Sequence, residues 1–158
     1  EGGFSNMVMK GAGLICKYFS GENFSHICCP VGTATTFGGI INEATDVGLI
    51  IGFGVLKNLS DIKERLDELQ VDSLKKYIFN GDYYFGGYAK QNKELLDFMN
   101  NFYAHNKIPL DFVYTAKMMF GVYDLAQKNY FPKGSNVLCI RTGGLQGNIS
   151  LPAGLLNF

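Results

Sequence analysis

Residues 26–31 (His-Ile-Cys-Cys-Pro-Val) and 48–56 (Gly-Leu-Ile-Ile-Gly-Phe-Gly-Val-Leu) are two apolar runs of strand length, and what joins them restricts the fold more than any other feature. The first leads into Val31-Gly32-Thr33-Ala34-Thr35-Thr36-Phe37-Gly38-Gly39-Ile40, a glycine and threonine loop, and residues 38–44 read as the opening of a helix. A strand, a helix and a strand within about thirty residues make a βαβ unit, whose strands are parallel and whose crossover is right-handed. The second run is apolar enough to be covered on both faces, as strands of parallel sheets are. The chain is therefore read as α/β, an open, mostly parallel sheet flanked by helices.

The loop has a chemistry of its own. A strand end, a small-residue turn and a helix N-terminus together offer unpaired backbone N–H groups and the positive end of a helix dipole, which suits an anion such as phosphate. Gly32 allows close approach of the backbone, and Thr33, Thr35 and Thr36 add hydroxyl donors. The bland reading of the same residues is a plain chain reversal. The loop lacks the Gly-Lys-Ser/Thr ending of a P-loop, and its glycine spacing is not that of a dinucleotide fingerprint.

With 158 residues, 47% of them hydrophobic, the chain can bury one core and form one domain or part of a larger one. Lys+Arg and Asp+Glu balance at 14 each, so no basic field argues for nucleic acid or an anionic membrane. No apolar run reaches the length of a membrane span. The four cysteines have no metal-ligand spacing; adjacent Cys28 and Cys29 should point to opposite faces of a strand. Reduced core thiols are expected, with a cytoplasmic location and no metal. The first residue is Glu1 and the opening residues read as the middle of a chain, so a fragment or a processed chain is expected.

Several further elements follow from periodicity. Residues 1–6 read as a turn and 10–19 as a helix carrying Leu14, Ile15, Tyr18 and Phe19. Ser60 and Asp61 open a helix whose buried stripe is Ile62, Leu66 and Leu69, and Tyr77-Ile78-Phe79 is a short strand. Residues 82–90 hold too many aromatics for an ordinary exposed loop; they form a packed turn or wall a pocket. Residues 92–103 make an amphipathic helix and 114–128 another, and residues 137–141 a last strand running into the glycine loop Thr142-Gly143-Gly144. Neither His26 nor His105 has an obvious catalytic partner. In open parallel sheets ligands sit at the carboxyl ends of strands, where both glycine loops fall.

Four segments then resemble one family: Glu1-Gly2-Gly3 leading to Lys10-Gly11; the loop 32–39; Phe85-Gly86-Gly87-Tyr88-Ala89-Lys90; and residues 109–117 (Pro-Leu-Asp-Phe-Val-Tyr-Thr-Ala-Lys) with Thr142-Gly143-Gly144-Leu145. In order and interval they are similar to the C-terminal half of the 1-aminocyclopropane-1-carboxylate deaminase and D-cysteine desulfhydrase family. The resemblance covers nearly the whole chain. It implies a pyridoxal-phosphate enzyme of fold type II, a homodimer acting on a small amino acid, of which residues 1–158 supply most of the large domain while the N-terminal half is absent.

Residue by residue, the resemblance makes Gly32, Thr33, Ala34, Thr35 and Thr36 the cofactor's phosphate cup, with Ala34 where the family commonly has glycine. It makes Tyr114 the phenol against the cofactor ring and Tyr88 a second phenol facing the substrate; either can orient a carboxylate or move a proton. Their ordinary alternative is as packed aromatics with satisfied hydroxyls. Thr115 and Thr142 are implied to lie at the cofactor. Cyclopropane deaminases carry Glu at the first of these positions and Leu at the second, whereas desulfhydrase-like members have a hydroxyl residue at each. A carboxylate beside the pyridine nitrogen favours its protonation, and a threonine can only hydrogen-bond a more neutral ring. The expected chemistry is therefore conversion of D-cysteine to pyruvate, ammonia and sulfide, with cyclopropane deamination as the alternative.

The family's Gly-Asn-Lys motif, which carries the lysine bonded to the cofactor, does not occur in this sequence. Neither Lys90 nor Lys117 is at that motif position. The chain by itself is therefore expected to be inactive and poorly folded, within an active parent. From another class of function, a non-catalytic module holding a phosphorylated ligand would use the same cup.

Overall fold

The computed structural model describes residues 3–45, 47–57, 59–72 and 74–158. The strands are β1 (Phe24–Val31), β2 (Val47–Gly54), β3 (Tyr77–Asn80) and β4 (Val137–Cys139), and they form one sheet in the order β3-β2-β1-β4. Every pairing is parallel: Cys28 stands beside Ile51 of β2 on one side and Cys139 of β4 on the other. The helices are α1 (Asn6–Gly13), α2 (Thr35–Glu43), α3 (Ile62–Glu68), α4 (Lys93–Asn106) and α5 (Thr115–Gln127). None is long and apolar enough to cross a membrane.

Strand alternation distributes the core over both faces. Ile27, Cys29 and Val31 of β1 pack with Met9 of α1, Phe37, Ile40 and Ile41 of α2, and Leu66 and Leu69 beside α3. Cys28 points the other way, joining Ile51 and Phe53 of β2 and Met118 and Val122 of α5. A further cluster fastens α4 to α5 through Leu95, Met99, Phe102 and Ala116. At Gly52 a Cβ would come within 2.7 Å of Val31 and 2.8 Å of the Phe37 ring, so the missing side chain makes room for Phe37 beneath the loop. Where α1 crosses α2, a Cβ at Gly39 would lie 2.5 Å from the Met9 carbonyl, so that contact admits only glycine.

Topology fixes where a ligand can sit. From β1 the chain steps outward to β2 and then β3; it next returns through α4 and α5 to the opposite side of β1, where β4 adds. Between β1 and β4 the winding reverses, and the loops leaving their carboxyl ends diverge and open a crevice.

The parallel α/β architecture expected from the βαβ pattern is present, with differences at element ends. Helix α1 starts at Asn6, not at residue 10, because the Ser5 side chain accepts the Val8 amide at 3.3 Å and caps it; residues 14–19 tighten into a 3-10 turn. Glu1 and Gly2, in the expected opening turn, lie outside the described residues. Helix α2 begins three residues before the expected position. Asp61 occupies the N-cap position of α3 without capping it, because its carboxylate instead takes Arg65 at 2.8 Å. Cys28 and Cys29 do face opposite ways, and the four cysteines are free thiols.

Candidate functional site

The loop after β1 curls against the first turn of α2. Ala34, the N-cap of that helix, has φ 74° and ψ −8°, the left-handed conformation that a glycine would take without cost. The first backbone hydrogen bond of α2 runs from the Gly38 N–H to the Ala34 carbonyl at 2.8 Å. The amides of Thr35, Thr36 and Phe37 therefore have no acceptor within the helix. Thr33 and Thr35 share a hydroxyl contact at 3.2 Å, and the Thr35 hydroxyl also reaches the Gly3 carbonyl at 3.5 Å.

These residues form one wall of a cavity of about 810 Å³ at the β1–β4 switch point, lined from Pro30 through Phe37 and by Leu56, Tyr88, Tyr114 and Thr142. Five segments far apart in sequence meet there: the β1–α2 loop, the loop after β2, the aromatic stretch 82–90, the start of α5 and the loop after β4. Tyr88 is 60% exposed and Tyr114 36%, and their rings stand edge to face with centroids 6.2 Å apart. A Cβ on Gly32 would lie 3.4 Å from the Tyr114 ring, so Tyr114 closes directly over the cup. Burial raises the Tyr114 pKa, and the neighbouring Tyr88 hydroxyl and Asp111 carboxylate push it the same way. Tyr114 therefore stands as a protonated phenol, a hydrogen-bond donor.

Of the candidate residues Gly32, Thr33, Ala34, Thr35, Thr36, Tyr88, Tyr114, Thr115 and Thr142, all but Thr115 line this cavity. Thr115 is 3% exposed, and its hydroxyl donates to the Asp111 carbonyl at 3.3 Å and accepts the Asp111 amide at 2.9 Å. Of the two threonines implied to lie at the cofactor, Thr142 is on the cavity wall and Thr115 is buried outside it. Local geometry explains this: a threonine on the first turn of a helix can bond backbone a turn earlier, and here that backbone needs a partner.

Sequence reasoning did not find the polar groups that carry this wall. Asp111, 5% exposed, accepts the Tyr114 amide at 2.8 Å and the Val113 amide at 3.1 Å, and burial raises its pKa against those two bonds and nearby Lys117. The Asn148 side chain accepts the Phe112 amide and donates to the Leu110 carbonyl, latching the loop after β4 to the start of α5. Lys117 is 0% exposed; its ammonium donates to the carbonyls of Gly87 at 2.5 Å, Tyr84 at 2.8 Å and Val55 at 3.5 Å. Burial lowers its pKa to about 8, against the attraction of Asp111. The available signal was a lysine one turn after Val113 and one before Gly121, on the apolar stripe of α5.

Neither histidine lines the cavity. His26 is hydrogen-bonded to Ser25 and packs edge-on to Phe131, and burial lowers its pKa. His105 reaches the Asn101 carbonyl in the last turn of α4. The described residues contain no cluster of His, Cys, Asp and Glu that could hold a metal.

Fold and cavity together define an open parallel α/β protein whose crevice lies at a switch point, with a cup of amides and hydroxyls on one side and two phenols on the other. The chain is 30% identical over 149 residues to the Pyrococcus furiosus protein named "Putative 1-aminocyclopropane-1-carboxylate deaminase", covering 87% of this chain and 45% of that one. It is 27% identical over 135 residues to the 1-aminocyclopropane-1-carboxylate deaminase of Rhizobium leguminosarum bv. viciae, covering 77% and 40%. The crystal structure of an ACC deaminase homologue shares its fold with a TM-score of 0.72 at 24% identity, over 94% of this chain and 49% of that chain. No protein-family profile matches. Homologues named 1-aminocyclopropane-1-carboxylate deaminase, most of them as putative, thus cover most of this chain. The chain spans about half the length of the curated relatives it matches.

Proposed function

We propose that the chain is the C-terminal, mostly large-domain portion of a pyridoxal-phosphate-dependent lyase or deaminase of the D-cysteine desulfhydrase kind. The observation that carries this reading is the cavity at the switch point, where the cup, Tyr88, Tyr114 and Thr142 face one another. The residues present fit the cofactor. Amides of Thr35 and Thr36 without helical acceptors, the hydroxyls of Thr33, Thr35 and Thr36 and the backbone of Gly32 and Ala34 make a donor set suited to a phosphate dianion. Opposite them, the Tyr114 ring offers an apolar face and Thr142 a hydroxyl within the same cavity.

Pyridoxal phosphate, when bound, supplies an electron-withdrawing ring that stabilises negative charge at the substrate α-carbon. The chain's own groups bind, orient and exclude water. Tyr114 covers the cup and, held protonated, donates a hydrogen bond; Tyr88, more exposed, can reach a substrate carboxylate or hold a proton near it. Thr142 at the wall, where a cyclopropane deaminase would carry Leu, favours elimination of a thiol over ring opening. The names of the relatives favour the second reading, cyclopropane deamination. No lysine is among the residues lining the cavity, so the lysine bonded to the cofactor is proposed to come from a segment outside this sequence. The parent is proposed to be a cytoplasmic homodimer acting on a small amino acid, a reading supported by the resemblance and by the reduced, mostly buried thiols.

The test is expression of the intact parent, its visible spectrum, and release of the 2-oxo acid side by side, pyruvate from D-cysteine and 2-oxobutanoate from 1-aminocyclopropane-1-carboxylate. A cofactor band with turnover of D-cysteine alone is expected. Turnover of the cyclopropane alone would overturn the desulfhydrase reading, and a colourless parent would favour the phosphate-binding module. Replacing Thr36 by Phe should weaken cofactor binding; unchanged binding would mean that the cup lies elsewhere.

A further inference from the structure

A lysine is almost never fully buried without a partner, because removing its charge from water is costly unless every donor is satisfied. Lys117 is fully buried, and the oxygens its ammonium reaches are main-chain carbonyls: three donors meet three acceptors, from Val55, Tyr84 and Gly87. A methionine would fill much the same volume. What the amine adds is a fixed relation among three backbone points.

Those points belong to different elements. Val55 directly follows β2, and Lys117 is on the first turn of α5, three residues after Tyr114. Tyr84 and Gly87 belong to a stretch without helix or strand, whose own bonds are two successive turns, Gly87 N–H to Tyr84 carbonyl at 3.0 Å and Lys90 N–H to Gly87 carbonyl at 3.2 Å. Lys117 binds the acceptor carbonyl of both turns. The segment is strained at Phe85 (φ 49°) and Ala89 (φ 50°), on either side of two glycines that take positive φ without cost. Such backbone keeps one conformation only when its surroundings over-determine it, and Tyr88 lies within it.

We propose that Lys117 is a positioning residue whose ammonium clasps the 84–90 segment to β2 and to the turn of α5 that bears Tyr114, and thereby sets where the Tyr88 phenol stands across the cavity. The proposal accounts for two phenols from separate segments meeting 6.2 Å apart on one wall. It rests on the reading above in one respect, that this wall faces a substrate.

The experiment uses the intact parent, with Lys117→Met, Tyr88→Phe and the double variant. Amide hydrogen exchange is expected to rise about tenfold or more over residues 84–90 in Lys117→Met, with residues 31–37 unchanged. For whichever amino acid the parent turns over, kcat/KM should fall on the order of 100-fold in Lys117→Met, yet less than about threefold when the same change is made in Tyr88→Phe. Unchanged exchange over 84–90, or the same loss in both backgrounds, overturns the clasp. A parent that turns over neither amino acid refutes the functional reading alone, since the exchange result still decides the clasp. Should Lys117→Met fail to fold, lysine ¹⁵N spectra of the unaltered protein decide it. An ammonium signal at Lys117 protected from solvent and coupled to the Tyr84 and Gly87 carbonyl carbons supports the clasp, and one exchanging as fast as surface lysines overturns it.

Discussion

The cup and the wall facing it are built on opposite plans. The cup is contiguous, Gly32 to Phe37, and its donors are the backbone of one strand end and one helix start; Phe37 and Gly39 anchor it in the larger core. The wall is assembled from segments around Tyr88, Tyr114 and Thr142; Asn148 and Lys117 join them by bonding to backbone, and Asp111 braces the turn before Tyr114. A site of backbone donors tolerates changes of side chain, whereas a wall held by polar side chains depends on each of them. The difference teaches that the cup half of the cavity should be robust and the facing wall fragile.

Removal of the Asp111 carboxylate should break the wall most strongly. Asp111→Ala leaves the Val113 and Tyr114 amides without their acceptor, and a loss of about 2 kcal/mol is expected in the denaturant midpoint of the intact parent. Cofactor phosphate affinity should change little. An equal loss of that affinity would erase the contrast between the two halves.

A smaller effect should come from pH. Burial lowers the Lys117 pKa to about 8 from 10.5, so between those values the unfolded chain binds more protons than the folded one, and stability rises with pH. The gain between pH 8 and 10 should be on the order of 1–2 kcal/mol, measured as the difference between wild type and Lys117→Met so that other groups cancel. Parallel pH curves for the two proteins would show that Lys117 titrates as an ordinary lysine.

The smallest effect sharpens the cup. Ala34 has φ 74°, so Ala34→Gly should relieve backbone strain and stabilise the protein by about 1 kcal/mol, offset in part by the greater freedom of glycine in the unfolded chain. Phosphate or cofactor affinity should stay the same or improve. A lower midpoint would mean that the Ala34 methyl group, 2% exposed, contributes more by packing than its conformation costs.

Much of the fold was legible in local pattern. The runs at 26–31 and 48–56, the intervening loop and the amphipathic stretch at 92–103 each carry their periodicity in adjacent residues, and the parallel sheet follows from chain connectivity. Helix starts were read less well, since Ser5 caps α1 while Asp61 turns to Arg65, a choice between local partners that composition does not reveal. The loop 32–36 and both tyrosines, singled out in the sequence and the tyrosines only through resemblance, do line one cavity.

By itself, then, the sequence determined the βαβ unit, the anion-suited loop and the faces of the strands, because these depend on neighbours along the chain. Only the tertiary structure decided that Tyr88, Tyr114 and Thr142, from separate segments, line one cavity while Thr115 lies buried outside it. It also decided that Lys117, which periodicity alone leaves as a lysine on an apolar stripe, is buried against three carbonyls. The reason is physical: burial and hydrogen-bond partners are settled by residues thirty or sixty positions away, which sequence spacing does not place, and the cost of burying a polar group depends on those partners alone.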